Sequence, residues 1–142
     1  MRLTVEIEGE GSQPPLPCDG AALVAFMSFA VSRGFGAVHP LIALADRLHD
    51  EHHVAMGPLT TFYEQASEDS EDVEKLDLAW QPAAPLRESL EGLVDALRLD
   101  PQAAALERRS GAGAVGEQAA ALLPYLGRAE ARGARVRLSY AL

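Results

Sequence analysis

Apolar and polar residues alternate strictly at both ends of the chain, over residues 2–8 and again over residues 135–140. A period of two turns successive side chains to opposite faces, so each segment predicts a half-buried β-strand. Residues 75–80 alternate in the same way and predict a third strand. The apolar positions of the three segments are Leu3, Val5, Ile7, Leu76, Leu78, Trp80, Val136, Leu138 and Tyr140.

The polar positions of the two terminal strands carry opposite charges. Glu6 and Glu8 lie on the first strand, and Arg135 and Arg137 lie on the last. Opposite charges on directly facing cross-strand positions stabilise a sheet by about 0.2–1 kcal/mol per pair. We therefore expect the two terminal strands to pair in one small sheet.

Apolar residues at helical spacing fill much of the sequence between these strands and predict about five helices. Asp19 is expected to cap the first helix and Gly34 to end it, while Pro124 is expected to kink or split the last. Asp100 followed by Pro101 predicts an N-cap with proline in the first turn of another helix. The predicted helices span residues 20–33, 40–53, 86–98, 101–106 and 115–132, with a further short helix at residues 59–65.

The first of these helices is apolar on nearly all sides over residues 21–31. A helix with no polar face is either central to a core or shared with a second copy of the chain. Because a small domain has few layers with which to cover it, we expect a homodimer.

These elements indicate an α+β fold. The prediction is a small three-stranded sheet that includes both terminal strands, covered by about five helices. A length of 142 residues fits a single domain over residues 1–142.

Composition favours a cytoplasmic protein of a bacterium. The apolar fraction of 48% and charged fraction of 23% are those of a soluble protein. The single cysteine, Cys18, excludes an internal disulfide. The chain opens on an alternating strand with early carboxylates and not on a signal peptide, and its longest apolar run is too short to span a membrane. Abundant alanine and arginine, with Lys75 as the only lysine, suggest a GC-rich bacterial genome.

The net charge of −9 argues against nucleic acid as a partner, because phosphates would be repelled. Much of this charge lies in residues 64–77, which we call the acidic segment. It either binds a partner protein with a basic surface or is a solvated stretch of chain. The candidate binding residues are Glu68, Asp69, Glu71 and Asp72.

Three of the four histidines lie within five residues, beside Asp46 and Asp50. On a helix, His49 and His53 would share a face with Asp46 and could hold zinc or nickel. The order differs from that of zinc hydrolases, because Asp50 and not glutamate follows His49. The alternative is a polar helix end at which histidines lie near the last carbonyl groups.

Two functions follow from these patterns. The first is a non-catalytic interaction module, an inhibitor, immunity-type or regulatory protein that binds a basic partner and uses no cofactor. The second is a small metal-dependent hydrolase that uses the His49 and His53 cluster. Bound metal distinguishes the two.

Overall fold

A computed structural model describes residues 1–33, 39–65 and 70–142, and for residues 70–73 it describes the backbone alone. Within these residues the fold is α+β, with six α-helices and a five-stranded sheet. The strands are β1 (Arg2–Ile7), β2 (Gly11–Ser12), β3 (Tyr63–Glu64), β4 (Trp80–Pro82) and β5 (Arg135–Ala141). The helices are α1 (Ala21–Val31), α2 (Pro40–His52), α3 (Ser70–Leu78), α4 (Ala83–Leu99), α5 (Pro101–Ser110) and α6 (Val115–Ala131).

The C-terminal strand β5 lies at the centre of the sheet. One of its edges pairs with β1 in antiparallel orientation along the length of both strands. Its other edge pairs with β3 in parallel and with β4 in antiparallel orientation, while β2 adds a short pairing to the outer edge of β1. The predicted pairing of the terminal strands is therefore confirmed.

The outer charges of the terminal strands pair as predicted. Glu6 lies opposite Arg137 in the strand register, and its carboxylate is 2.5 Å from the Arg137 Nε. Arg135 Nη2 donates to Glu8 over 2.6 Å. The hydrogen bonds of Arg135 hold the pKa of Glu8 below its usual value.

The predicted strand at residues 75–80 is wrong for most of its length. Helix α3 continues to Leu78, and the strand there is β4, which begins at Trp80. Leu78, which the alternation placed in the core, is 72% exposed. An alternation of only six residues does not distinguish a strand from a short helix in which apolar and polar residues happen to alternate.

Other element boundaries also differ from the predictions. The predicted short helix at residues 59–65 is a 3-10 turn at Pro58–Thr60 followed by β3. Helix α6 runs unbroken through Pro124. Pro124 is exposed, so water can satisfy the backbone carbonyl that loses its hydrogen bond to the missing N–H. The sheet consequently has five strands and the described chain six helices, where we expected three and about five.

Helix α1 lies at the centre of the core. Its buried residues pack with the apolar faces of β1, β5, α2, α4 and α6 in one hydrophobic cluster. Phe26 and Met27 are completely buried, while Val31 near the helix end is 56% exposed. One chain thus covers most of this helix, which removes the reason for expecting a dimer; the homodimer itself stays a prediction.

The start of α1 differs from the predicted Asp19 cap. Cys18, Asp19 and Gly20 form a left-handed turn, with φ values of 50°, 59° and 70°. Gly20 precedes the helix, and a Cβ there would lie 2.9 Å from the Leu3 Cβ. The helix N-terminus is instead capped from a distance, because the Leu23 N–H donates to Gln118 Oε1 of α6 over 2.9 Å.

Among the described residues, no helix combines the length and the apolar character that a membrane-spanning segment requires.

Candidate functional site

Helix α2 carries the histidine-rich sequence and presents it at its C-terminal end. Leu41, Leu44 and Leu48 are completely or almost completely buried, which fixes the rotation of the helix about its axis. The polar residues after Ala45 therefore lie at the edge of the core or in solvent. Two of them, Arg47 and His52, reach Asp100 at the start of α5.

The structure does not bring Asp46, His49 and His53 together as a group. The Asp46 carboxylate lies 3.9 Å from Arg33, and His49 Nδ1 lies 2.8 Å from the carboxylate of its neighbour Asp50. Helix α2 ends at His52, and His53 adopts a left-handed conformation with φ of 54°. His53 therefore leaves the helical spacing on which the predicted pairing with His49 depended.

Metal-binding side chains are also dispersed elsewhere. In the parts of the chain that the structure describes, no three His, Cys, Asp or Glu side chains are grouped so that they could hold a metal ion. His39 has a structural role instead: its Nδ1 accepts from the Leu41 N–H over 3.1 Å, and its ring stacks on Phe29 with centroids 3.8 Å apart.

A different polar centre forms where the end of α2 meets the start of α5. Arg47 donates to both carboxylate oxygens of Asp100, over 2.5 Å from Nε and 3.2 Å from Nη2. His52 Nε2 lies 2.8 Å from Asp100 Oδ2. Asp100 also accepts from the Gln102 N–H over 3.0 Å, so it caps α5 as the Asp100-Pro101 sequence predicts.

Asp100 is the electrostatic anchor of this junction. Its side chain is only 9% exposed, and it accepts from a guanidinium, an imidazole and a backbone N–H. Hydrogen bonds from Arg47 and then from His52 hold the pKa of Asp100 well below its usual range. The Asp100 carboxylate thus stays ionised at ordinary pH and joins α2 to α5.

The depressed pKa makes this junction sensitive to acid. A carboxylate whose pKa is lower in the folded state stabilises the fold above its unfolded pKa, near 4, and loses that effect as the pH falls. We expect Asp100→Asn, which keeps an N-cap side chain, to lower the urea midpoint at pH 7. We also expect it to reduce the fall of that midpoint between pH 5 and pH 3.

Glu8 and Glu130 have lowered pKa values for the same reason and keep part of the acid dependence in the variant. Urea unfolding followed by circular dichroism at several pH values gives both quantities. The same acid dependence in the variant and in the parent would show that Asp100 does not stabilise the fold through its charge.

The acidic segment is described only in part. Glu68 and Asp69 lie outside the described residues; Glu71 and Asp72 lie in α3, but their side chains are not described. Glu64, Glu74 and Asp77 of the same segment are described, and all are exposed. Of these three carboxylates, only that of Asp77 forms an ion pair within the described residues, with the Arg137 guanidinium 3.8 Å away.

No known protein family, curated protein or solved structure matches this chain. The function must therefore be argued from the residues and their geometry.

The junction at Asp100 was not predicted. The N-cap and the histidine cluster were predicted separately, but His52 and Asp100 are 48 residues apart and Arg47 and Asp100 are 53 residues apart. Arg47 gave no signal, because one arginine on a polar helix face is ordinary. The only local signal was the N-cap sequence, which predicts the backbone contact and not the side chains that meet it.

Proposed function

We propose that this protein is a non-catalytic interaction module of the bacterial cytoplasm, which binds a basic surface of another protein through the acidic segment. The observation that carries the proposal is the unequal neutralisation of charge over the fold. Most of the described arginines are held by carboxylates of the same chain, whereas the described carboxylates of the acidic segment are largely unpaired.

Seven described arginines form ion pairs within the chain. They are Arg33, Arg47, Arg87, Arg128, Arg132, Arg135 and Arg137. Each pair cancels most of the field of its two members at a distance. The net charge of −9 is therefore concentrated on carboxylates outside these pairs.

The acidic segment holds several of those carboxylates close together in sequence. Within the described residues Glu64 and Glu74 form no ion pair, and Asp77 has only the long contact with Arg137. Grouped like charges produce a potential that steers an oppositely charged partner and raises its association rate. Such a surface supports binding to a protein with clustered lysine and arginine.

The histidine contacts support a structural role at both ends of α2. His39, His49 and His52 each contact a partner in their own chain, at Leu41, Asp50 and Asp100 respectively. The alternative hydrolase, with zinc or nickel on His49 and His53, stays a prediction. It requires that His53 and the helix end rearrange to bring the two rings together.

The test compares two sets of charge reversals. One variant changes Glu68, Asp69, Glu71 and Asp72 to lysine. The matched control makes the same change in net charge at four exposed carboxylates outside the acidic segment, which are Glu51, Glu88, Asp95 and Glu117. The parent and both variants are immobilised, and the proteins that each retains from a bacterial lysate at low salt are identified.

We expect a basic protein that the parent and the control retain and the acidic-segment variant loses. Its association rate with the parent should fall with salt, because the Debye length shrinks from about 10 Å at 0.1 M to about 3 Å at 1 M. The acidic-segment variant should associate at least about tenfold more slowly, which is within the range of electrostatic steering. Equal losses in both variants would indicate non-specific attraction and contradict the proposal.

The histidines provide a separate check. Changing His49 and His53 to alanine should leave association unchanged, since neither residue lies in the acidic segment. Metal analysis of protein purified without an affinity tag should find no stoichiometric zinc or nickel. If the double variant loses a bound metal together with a hydrolytic activity, the hydrolase replaces the interaction module.

A further inference from the structure

An open groove of about 390 Å³ runs between α2 and α5, away from the acidic segment. Its lining residues are Ala43, Arg47, Gln102, Ala105, Leu106 and Arg109. The spacing of these residues places them on facing sides of the two helices, one turn apart within each helix. The groove thus has small and apolar side chains between one guanidinium from each helix.

The charge of this groove is opposite to that of the protein. Among its described lining residues there are two guanidiniums and no carboxylate, in a chain whose net charge is −9. A second groove, of about 430 Å³, lies among α4, α5 and α6 and is lined by Arg98 but also by Glu107 and Glu117. The charge of the lining side chains therefore favours an anionic ligand in the groove between α2 and α5. The mixed charges of the second groove favour neither an anion nor a cation.

The junction at Asp100 fixes the orientation of the Arg47 guanidinium. Its Nε and Nη2 donate to the Asp100 carboxylate, which fixes the plane of the guanidinium. Its Nη1 makes no hydrogen bond within the described part of the chain. Donors that are fixed before binding lose less entropy when a ligand is bound.

Arg109 is the guanidinium of the groove whose charge no ion pair within the described chain balances. Asp100 balances the charge of Arg47, and Glu51 also lies close enough to Arg47 to act on it. Arg109 is exposed at the last turn of α5 and has no ion pair among the described residues. Because Arg47 offers directed donors and Arg109 offers charge, the pair suits a carboxylate more than a neutral ligand.

We propose that this groove binds the carboxylate of a small organic acid with a short apolar body. Arg109 and the Nη1 of Arg47 donate to the carboxylate, and the Gln102 amide provides a further donor. The apolar body contacts Ala43, Ala105 and Leu106. A volume of about 390 Å³ is in the range of small-molecule sites. The proposal is independent of the acidic segment and of its partner.

The test uses hexanoate as the probe and follows binding by amide chemical shifts and by calorimetry. We expect hexanoate to shift the amide signals of residues that line the groove, while hexanamide, which has the same body without the charge, does not. Inorganic phosphate, which has charge without an apolar body, should bind more weakly than hexanoate. A short peptide with a free C-terminal carboxylate tests the other source of this chemistry.

Three variants locate the binding. Arg109→Gln should weaken hexanoate binding by about tenfold, because it removes a charge-assisted contact. Arg108→Gln is the matched control, since it is an adjacent exposed arginine on the same helix that does not line the groove. Ala105→Leu places a larger side chain in the groove without a change of charge and should also weaken hexanoate binding.

Equal weakening by Arg108→Gln and Arg109→Gln would mean general attraction of anions and would overturn the proposal. So would phosphate binding as tightly as hexanoate, binding of the peptide alone, or no response to hexanoate in the parent. The amide spectrum of each variant shows whether it is folded. If Arg109→Gln does not fold, Ala105→Leu decides the question.

Discussion

Deleting residues 134–142 is expected to abolish folding, because it removes the strand that joins the rest of the sheet. β5 pairs with β1, β3 and β4, which are held in the sheet through it. Its loss also exposes the buried side chains of Leu3, Val5 and Ile7 on β1 and leaves an unpaired strand edge. Circular dichroism during heating should show no cooperative transition.

The control for this truncation is deletion of Leu142 alone. That residue follows the strand and is 89% exposed, so its loss should leave the melting temperature close to that of the parent. A protein that lacks residues 134–142 and still melts cooperatively near the parent temperature would show that the terminal pairing is not needed for the fold.

Replacing Phe26 by alanine is expected to lower the free energy of unfolding by about 3–5 kcal/mol, which is typical of a buried phenylalanine. Phe26 is 0% exposed and lies in the central helix. The packed elements around it cannot readily move to fill the cavity that the substitution leaves. Urea unfolding followed by tryptophan fluorescence measures the change, because Trp80 is the only tryptophan.

Val31→Ala is the matched control on the same helix. Val31 is 56% exposed, and substitutions at such positions usually change stability by less than about 0.5 kcal/mol. Unfolding at two protein concentrations separates folding from association. A midpoint that rises with concentration, and that Val31→Ala lowers more than Phe26→Ala, would mean that α1 is held by a second copy and not by its own core.

The predicted homodimer is tested directly by sedimentation equilibrium of the parent. A dimer at about 100 μM would keep the prediction, while a monomer at that concentration, well above the dissociation constants of stable interfaces, would exclude it. The burial of Phe26 and Met27 within one chain means that any such dimer uses other surfaces of the molecule.

The terminal strands could be predicted because their signal is repeated and complementary. Each alternates over several residues, and Glu6 lies opposite Arg137 in the observed register, while Arg135 donates to Glu8 just beyond it. The segment at residues 75–80 has no such support. Its short alternation was overridden by α3, and only Trp80 entered the sheet, where the Arg137 guanidinium lies 4.6 Å from its ring centroid.

The candidate sites divide in the same way. The N-cap at Asp100 could be predicted from the sequence, because an N-cap residue followed by proline is a local signal. The side chains that donate to Asp100 could not be predicted from the sequence. Neither could the capping of α1 by Gln118, which lies 95 residues from Leu23. The left-handed conformation of His53 was also hidden, although it decides that His49 and His53 do not share a helix face.

The sequence by itself determined the α+β class, the strands at the two ends, the apolar helix at the core and the excess of negative charge. These properties depend on the spacing of neighbouring residues or on composition, which fold and partners do not alter. Only the tertiary structure decided that α2 and α5 meet at Asp100 and that Arg47 and Arg109 line one groove. Such contacts join residues that are distant in the chain, and they depend on how whole helices pack.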